Sequence, residues 1–99
     1  MRFEWDQAKN EQNIEKHGLD FADAPEAFRG PLLVGLDTRE DYGEDRWIGI
    51  GTLQRRPIVV VLVFTERAPD IIRVIPLRKA TRDEKERYEE AVKNGLETG

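Results

Sequence analysis

The sequence has no cysteine and a single histidine. Without Cys there is no disulfide scaffold and no thiolate zinc site. The acidic stretch Asp37, Glu40, Asp41, Glu44 and Asp45 has no His or Cys beside it and no EF-hand spacing, so it reads as a solvated loop and no metal is expected. Long apolar runs are also missing. Nothing approaches the ~20 residues of a membrane helix, so no membrane contact is expected. Residues 1–20 carry Glu4, Asp6, Glu11 and Glu15 without an apolar core, so no secretory signal is expected and the expected address is the cytoplasm. There is no P-loop, GxGxxG or GxSxG, which leaves nucleotide-binding and serine-hydrolase chemistry without support.

Basic charge is short overall, with a net charge of −4, but it is unevenly spread. Residues 1–54 hold 6 basic and 12 acidic side chains, residues 55–87 hold 9 basic and 5 acidic, and residues 88–99 hold 1 basic and 3 acidic. An acidic balance argues against a dedicated nucleic-acid binder. The Arg-rich third quarter weakens that argument, because a local basic patch binds phosphate whatever the total charge. The 99 residues suit one domain, with 1–94 as folded core and 95–99 as a tail. A domain of this size buries only roughly 60–65% of its unfolded surface, so its core is thin.

Arg2-Phe3-Glu4-Trp5 alternates and reads as a short strand. Asp6 caps a helix running to about Lys16, with Gly18 to end it. Asp20 to Phe28 reads as a second helix, comfortable with Pro25 only if it starts near Asp23. Leu32–Leu36 and Arg46–Leu53 read as strands. Trp47, Gly49, Gly51 and Leu53 share one face of the latter, and the glycines leave room for a helix to pack close. Ile58–Thr65 is apolar on both faces, as a central strand is. Glu66–Asp70 reads as a turn around Pro69, and Ile71–Leu77 as a last strand, irregular near Pro76. Thr81 and Glu84 form a capping box for a helix to about Asn94, whose apolar stripe is only Tyr88, Ala91 and Val92. The expected fold is α+β, in the order β-α-α-β-β-β-β-α. An antiparallel sheet carries two N-terminal helices on one face, and a C-terminal helix follows.

Lys9, Asn13 and His17 lie four apart on one face of the first helix. Two readings fit them: a solvated polar face, or a grip on phosphate with a proton carrier in line. His17 suits either a helix C-terminus or acid–base work near neutrality. Arg73, on the last strand beside Ile71 and Ile75, needs an anion. That anion is either a phosphate or a carboxylate such as Glu66, Asp70 or one on a helix. Arg78 and Lys79 follow it, and Arg67 sits in the preceding turn. Trp47, next to Arg46, is either core or a platform for a base.

The runs FEWDQAKNEQNIEKHGLDF (3–21), DYGEDRWIGIG (41–51), VVVLVFTER (59–67) and IRVIPLRKATRDEKERYEE (72–90) resemble the BrnT toxins of bacterial type II toxin–antitoxin pairs. The W-D-x-x-K-x-x-x-N-x-x-K-H-G stretch, R-W-x-x-x-G and R-K-A-T carry the likeness over residues 3 to about 90. The resemblance implies a RelE-like ribonuclease fold, RNA cleavage that halts translation, and a BrnA-like ribbon-helix-helix antitoxin. Operator DNA is then met only through that antitoxin, in a homodimer or a heterotetramer with it. No cofactor is implied. The motifs point to Lys9, Asn13, His17, Arg46, Trp47, Glu66, Arg67, Arg73, Arg78 and Lys79. This chain has Pro76-Leu77 where the family commonly has a small Ser-Ala pair, which bears on the aim of Arg78.

Metal-free RNA cleavage needs a base at the ribose 2′-OH, cations at the pentavalent phosphate and an acid at the leaving oxygen. Arg73 and Arg78 suit the phosphate, with Lys79, Arg67, Arg46, Trp47 and Asn13 holding the RNA. His17 or Glu66 suits the base, with Lys9 assisting. Two other classes fit the same residues: a catalytically silent antitoxin-binding module that tunes operon regulation, and a protein-interaction domain without a nucleic-acid role.

Overall fold

In a computed structural model that describes residues 1–95, the chain begins with β1 (Arg2–Glu4), α1 (Gln7–His17), a 3-10 turn (Phe21–Asp23) and α2 (Ala24–Arg29). Four strands follow, β2 (Leu33–Leu36), β3 (Trp47–Leu53), β4 (Ile58–Ala68) and β5 (Ile71–Lys79), and then α3 (Arg82–Lys93). The tail expected over 95–99 lies, from residue 96 on, outside the described residues. The local signals explain most boundaries. The Asp6 carboxylate accepts from the Lys9 amide at the start of α1, and Gly18 closes the helix at φ 68°. Pro25 stands in the first turn of α2, where its missing N–H is no loss. Thr81 and Glu84 form the reciprocal capping box of α3.

The five strands are ordered β1-β5-β4-β3-β2, so the doubly apolar β4 is central. The sheet is mixed rather than antiparallel. β1 pairs with β5 in parallel, Phe3 opposite Ile72, and the other pairs are antiparallel. Parallel pairing needs a long crossover, and the helical segment and the rest of the sheet supply it.

The main core lies on one face, where Leu53, Val60, Leu62, Phe64, Val74 and Leu77 meet Leu19, Phe21, Ala24 and Ala27. Gly51 is what allows α2 so close. A Cβ there would stand 3.2 Å from the Ala27 carbonyl oxygen. The opposite face carries a smaller cluster, Ile50 and Val61 under Tyr88 of α3. Tyr88 anchors that helix more firmly than its short apolar stripe suggests. Its hydroxyl donates to the Pro31 carbonyl (2.8 Å) and accepts from Thr52 Oγ1 (3.2 Å).

Two irregularities interrupt the β4–β5 ladder. Ile75 and Pro76 together oppose the single Val63, and Arg67 is an extra residue between Glu66 and Ala68. Proline, with no N–H to give the ladder, is tolerated at such a bulge. β4 therefore runs on through Glu66 and Arg67, where a turn was expected, and the reversal falls on Pro69 and Asp70.

Candidate functional site

Successive residues of a regular strand point to opposite faces. The bulge at Arg67 relaxes that rule, and Thr65, Glu66 and Arg67 all line one cleft at the end of β4. Trp47, Glu44 and Asp45 complete it, around a space of about 590 Å³. Trp47 packs against the main core, as one reading of it expected, and also lines the cleft. Thr65 is buried, and its hydroxyl donates to the Asp45 carbonyl at 3.0 Å, which fixes the loop against the strand. Glu66 is exposed and makes no side-chain hydrogen bond or ion pair among the described residues.

The loop between β2 and β3 is built around a buried carboxylate. Asp37 accepts from Arg39 Nε (2.8 Å) and Nη2 (2.7 Å) and from the Tyr42 hydroxyl (3.1 Å). The Arg39 guanidinium holds the Asp37 carboxyl well below the ordinary carboxylate range, and burial with Asp37 beside it pushes the Tyr42 phenol up. The Arg46 guanidinium lies 4.2 Å from the centre of the Tyr42 ring, a cation–π contact. Glu44 then joins two strands, with its carboxylate 3.2 Å from Arg46 Nε and 3.8 Å from Arg67 Nη1. The expectation of a merely solvated acidic loop is corrected at Asp37. The signal available was Asp37-Thr38-Arg39, an acid and a base two apart at a strand end, with Tyr42 following.

Arg73 lies next to this cleft, opposite Thr65 on β4. Its partner is Glu4 at 3.2 Å, brought alongside by the parallel β1 and not among the carboxylates expected for it. Both side chains remain partly open, at 33% and 41% exposure. Arg78 is held differently. It makes a bidentate pair with Glu84 (2.7 and 2.9 Å), the same carboxylate that caps α3 by accepting from the Thr81 amide (2.8 Å). The Ile75-Pro76 bulge puts Arg78 on the same sheet face as Arg73, since their partners Val61 and Thr65 are four apart on β4. Five residues of strand still separate them by about 15 Å. With each turned to its own carboxylate, Arg73 and Arg78 do not converge on one phosphate as expected.

Asn13 is corrected outright. It is 7% exposed, and its amide group bonds the Leu77 N–H and C=O and the Leu19 carbonyl. Both amide hydrogens are used and the group is buried, which leaves it out of reach of RNA, and the Lys9-Asn13-His17 face is turned partly inward. Lys9 and Lys79 are exposed and His17 is half-buried, and none of the three lines the cleft. Asn13 is pinned at Leu77, five residues along β5 from Ile72, the partner of Glu66. His17, one turn from Asn13, therefore sits toward the other end of β5 from Glu66. Of the candidates, the fold gathers Glu66, Arg67, Trp47 and Arg46, with Arg73 adjoining, and leaves Lys9, His17, Arg78 and Lys79 elsewhere.

Among the described residues no three His, Cys, Asp or Glu side chains are grouped to hold a metal ion, and no helix is long and apolar enough to cross a membrane. Over residues 5–84 the chain matches the family described as ribonuclease toxin, BrnT, of type II toxin–antitoxin system. Among solved structures it is similar to the crystal structure of the Brucella abortus ribonuclease toxin, BrnT. The identity is 28% and the TM-score 0.62, over 83% of this chain and 99% of that one. No curated protein matches it.

Proposed function

The chain belongs to the BrnT family of ribonuclease toxins of type II toxin–antitoxin systems, and from that premise we propose that it is an endoribonuclease acting by metal-independent transesterification. The observation that carries this reading is the cleft at the Arg67 bulge, lined by the Glu66 carboxylate, the Arg67 guanidinium and the Trp47 indole. Glu66 takes the proton from a ribose 2′-OH, and the 2′-oxygen attacks the adjacent phosphorus. Arg67, with Arg73 beside it, stabilises the charge on the pentavalent phosphate. The bond to the 5′-oxygen breaks and that oxygen takes a proton from water, to which Glu66 returns its own, so the products are a 2′,3′-cyclic phosphate and a 5′-hydroxyl. Trp47, in the cleft wall, contacts a neighbouring base, and Arg46 gives a further contact to the backbone.

The partner in this reading is a BrnA-like ribbon-helix-helix antitoxin. It covers the cleft, and only through it does the toxin meet operator DNA. A RelE-like ribonuclease architecture is the corresponding fold reading, and the cytoplasm the corresponding address.

A second reading is a catalytically silent antitoxin-binding module. It is favoured by the carboxylates that already hold Arg73 and Arg78. One gel separates the two. RNA incubated with the purified chain, with and without EDTA, is cut in both lanes under the first reading, and Arg73→Ala lowers the rate by about 10²–10³. Intact RNA beside retained antitoxin binding selects the module. Cleavage that EDTA abolishes removes the metal-independent scheme.

A further inference from the structure

Two guanidiniums from different strands converge on the Glu44 carboxylate. Arg46 stands at the head of β3 and Arg67 on the bulge of β4, 3.2 and 3.8 Å from its two oxygens. Neither contact is buried deeply. The side chains are 27% exposed for Arg46, 48% for Arg67 and 34% for Glu44, so water and a ligand both reach them. Arg46 is not free to follow Glu44 away. Its plane rests on the Tyr42 ring, and the Tyr42 hydroxyl is tied to the buried Asp37. Arg67 is aimed by the bulge. Arg46 is thus set in place by a contact other than Glu44, and the backbone of the bulge brings Arg67 alongside it. Among the described residues the Glu44 side chain has no partners but these two. A carboxylate in that position has the charge and oxygen spacing of two phosphate oxygens, and guanidinium pairs bind both in the same manner.

We propose that the space between Arg46 and Arg67 is a phosphodiester-binding subsite for single-stranded RNA, occupied in the free protein by Glu44 as an internal anion that RNA displaces. This rests on the nuclease reading for its ligand, and extends it by naming the residue that limits affinity. The subsite adjoins Glu66 and Trp47, so a phosphate seated there places its neighbouring nucleotide along the cleft. Glu44 then acts as a threshold. Weak or short anions do not displace it, whereas an oligonucleotide adds contacts elsewhere and does.

The test measures binding separately from cleavage. An RNA oligonucleotide 2′-O-methylated at every position has no attacking hydroxyl, and its affinity is read by fluorescence anisotropy across a salt series. Glu44→Gln is expected to bind about two- to fivefold tighter than the unaltered chain, the worth of one exposed ion pair. Glu44→Asp, one methylene too short to bridge, is expected to move the same way. Arg67→Gln is expected to bind more weakly, with the slope of log K against log salt reduced by about 0.7. Adding Arg67→Gln to Glu44→Gln is expected to erase the gain.

Unchanged or weaker binding by both Glu44 variants, at unaltered melting temperature, overturns the subsite. So does a gain that persists without Arg67. A cationic segment of a protein partner as the true occupant would give that first result. Unmodified RNA run in parallel keeps the two ideas apart. If Glu44→Gln binds tighter while no form cuts, the nuclease reading fails and the subsite stands. If the unaltered chain cuts while Glu44 has no effect on binding, the reverse holds.

Discussion

The side-chain amide of Asn13 pairs with the backbone of Leu77 as a strand residue would. It accepts from the Leu77 N–H at 3.2 Å and donates to the Leu77 carbonyl at 2.8 Å. β1 covers β5 only from Ile71 to Arg73, so beyond that point the outer edge of β5 has no strand partner among the described residues. Asn13 fills one position of that edge from α1, and a second bond from the same amide to the Leu19 carbonyl fixes the chain beyond the helix.

Asn13→Ala leaves the Leu77 N–H and C=O buried without partners. Each such group costs about 1–3 kcal/mol, so a loss of about 2–6 kcal/mol is expected. For a domain this size that is a fall of at least about 8 °C in Tm, read by calorimetry. A loss of RNA cleavage with Tm unchanged would instead return Asn13 to the nucleic-acid surface.

Gly51→Ala tests how α2 seats on the sheet. Its Cβ would lie 3.0 Å from Leu32 Cδ1, 3.2 Å from Ala27 Cβ and 3.2 Å from the Ala27 carbonyl oxygen. The backbone oxygen cannot rotate away, so a cost of about 1–3 kcal/mol is expected. Gly49→Ala meets only side-chain atoms of Leu32 and Phe64, at 3.2 Å and beyond, and is expected to cost less. Equal denaturation midpoints for the two variants would contradict this packing.

The Arg78–Glu84 pair gives the chain an acid limb. The Arg78 guanidinium lowers the Glu84 carboxyl from 4.5 to about 2, against the opposing effect of burial. A carboxyl depressed on folding contributes stability that is complete above its unfolded value. That contribution is lost as pH falls from about 4.5 toward 2. Urea unfolding of Glu84→Gln across that window is expected to show a shallower pH dependence than the unaltered chain. Parallel curves would mean that the pair contributes nothing to acid sensitivity.

Glu66 and His17 separate by position, and activity should follow. Glu66→Gln is expected to lower RNA cleavage by about 10²–10⁴ with Tm unchanged, the usual worth of a general base. His17→Ala, distant from the cleft, is expected to retain most of the rate. Initial rates on one RNA substrate decide it, and the opposite ranking would move the chemistry to the far end of β5.

The caps at Asp6, Gly18 and Thr81 were legible in the sequence because each is decided within one helical turn. So was the central place of β4, whose apolar faces both need covering, and the close approach over Gly51. The candidate site was legible only as residue types. Arg67 was expected in a turn, but β4 extends through it as a bulge. A single extra residue in a ladder leaves no periodicity to read, because its cause lies in the partner strand.

The sequence by itself determined which segments become helices and strands, in what order, and which faces are apolar, because those follow from contacts three or four residues apart. Tertiary structure decided which groups from distant segments meet. Glu4 finds Arg73 across 69 residues and Asn13 finds Leu77 across 64. Neither pairing has a local signature, since both depend on where a parallel β1 and its following helix come to rest against β5.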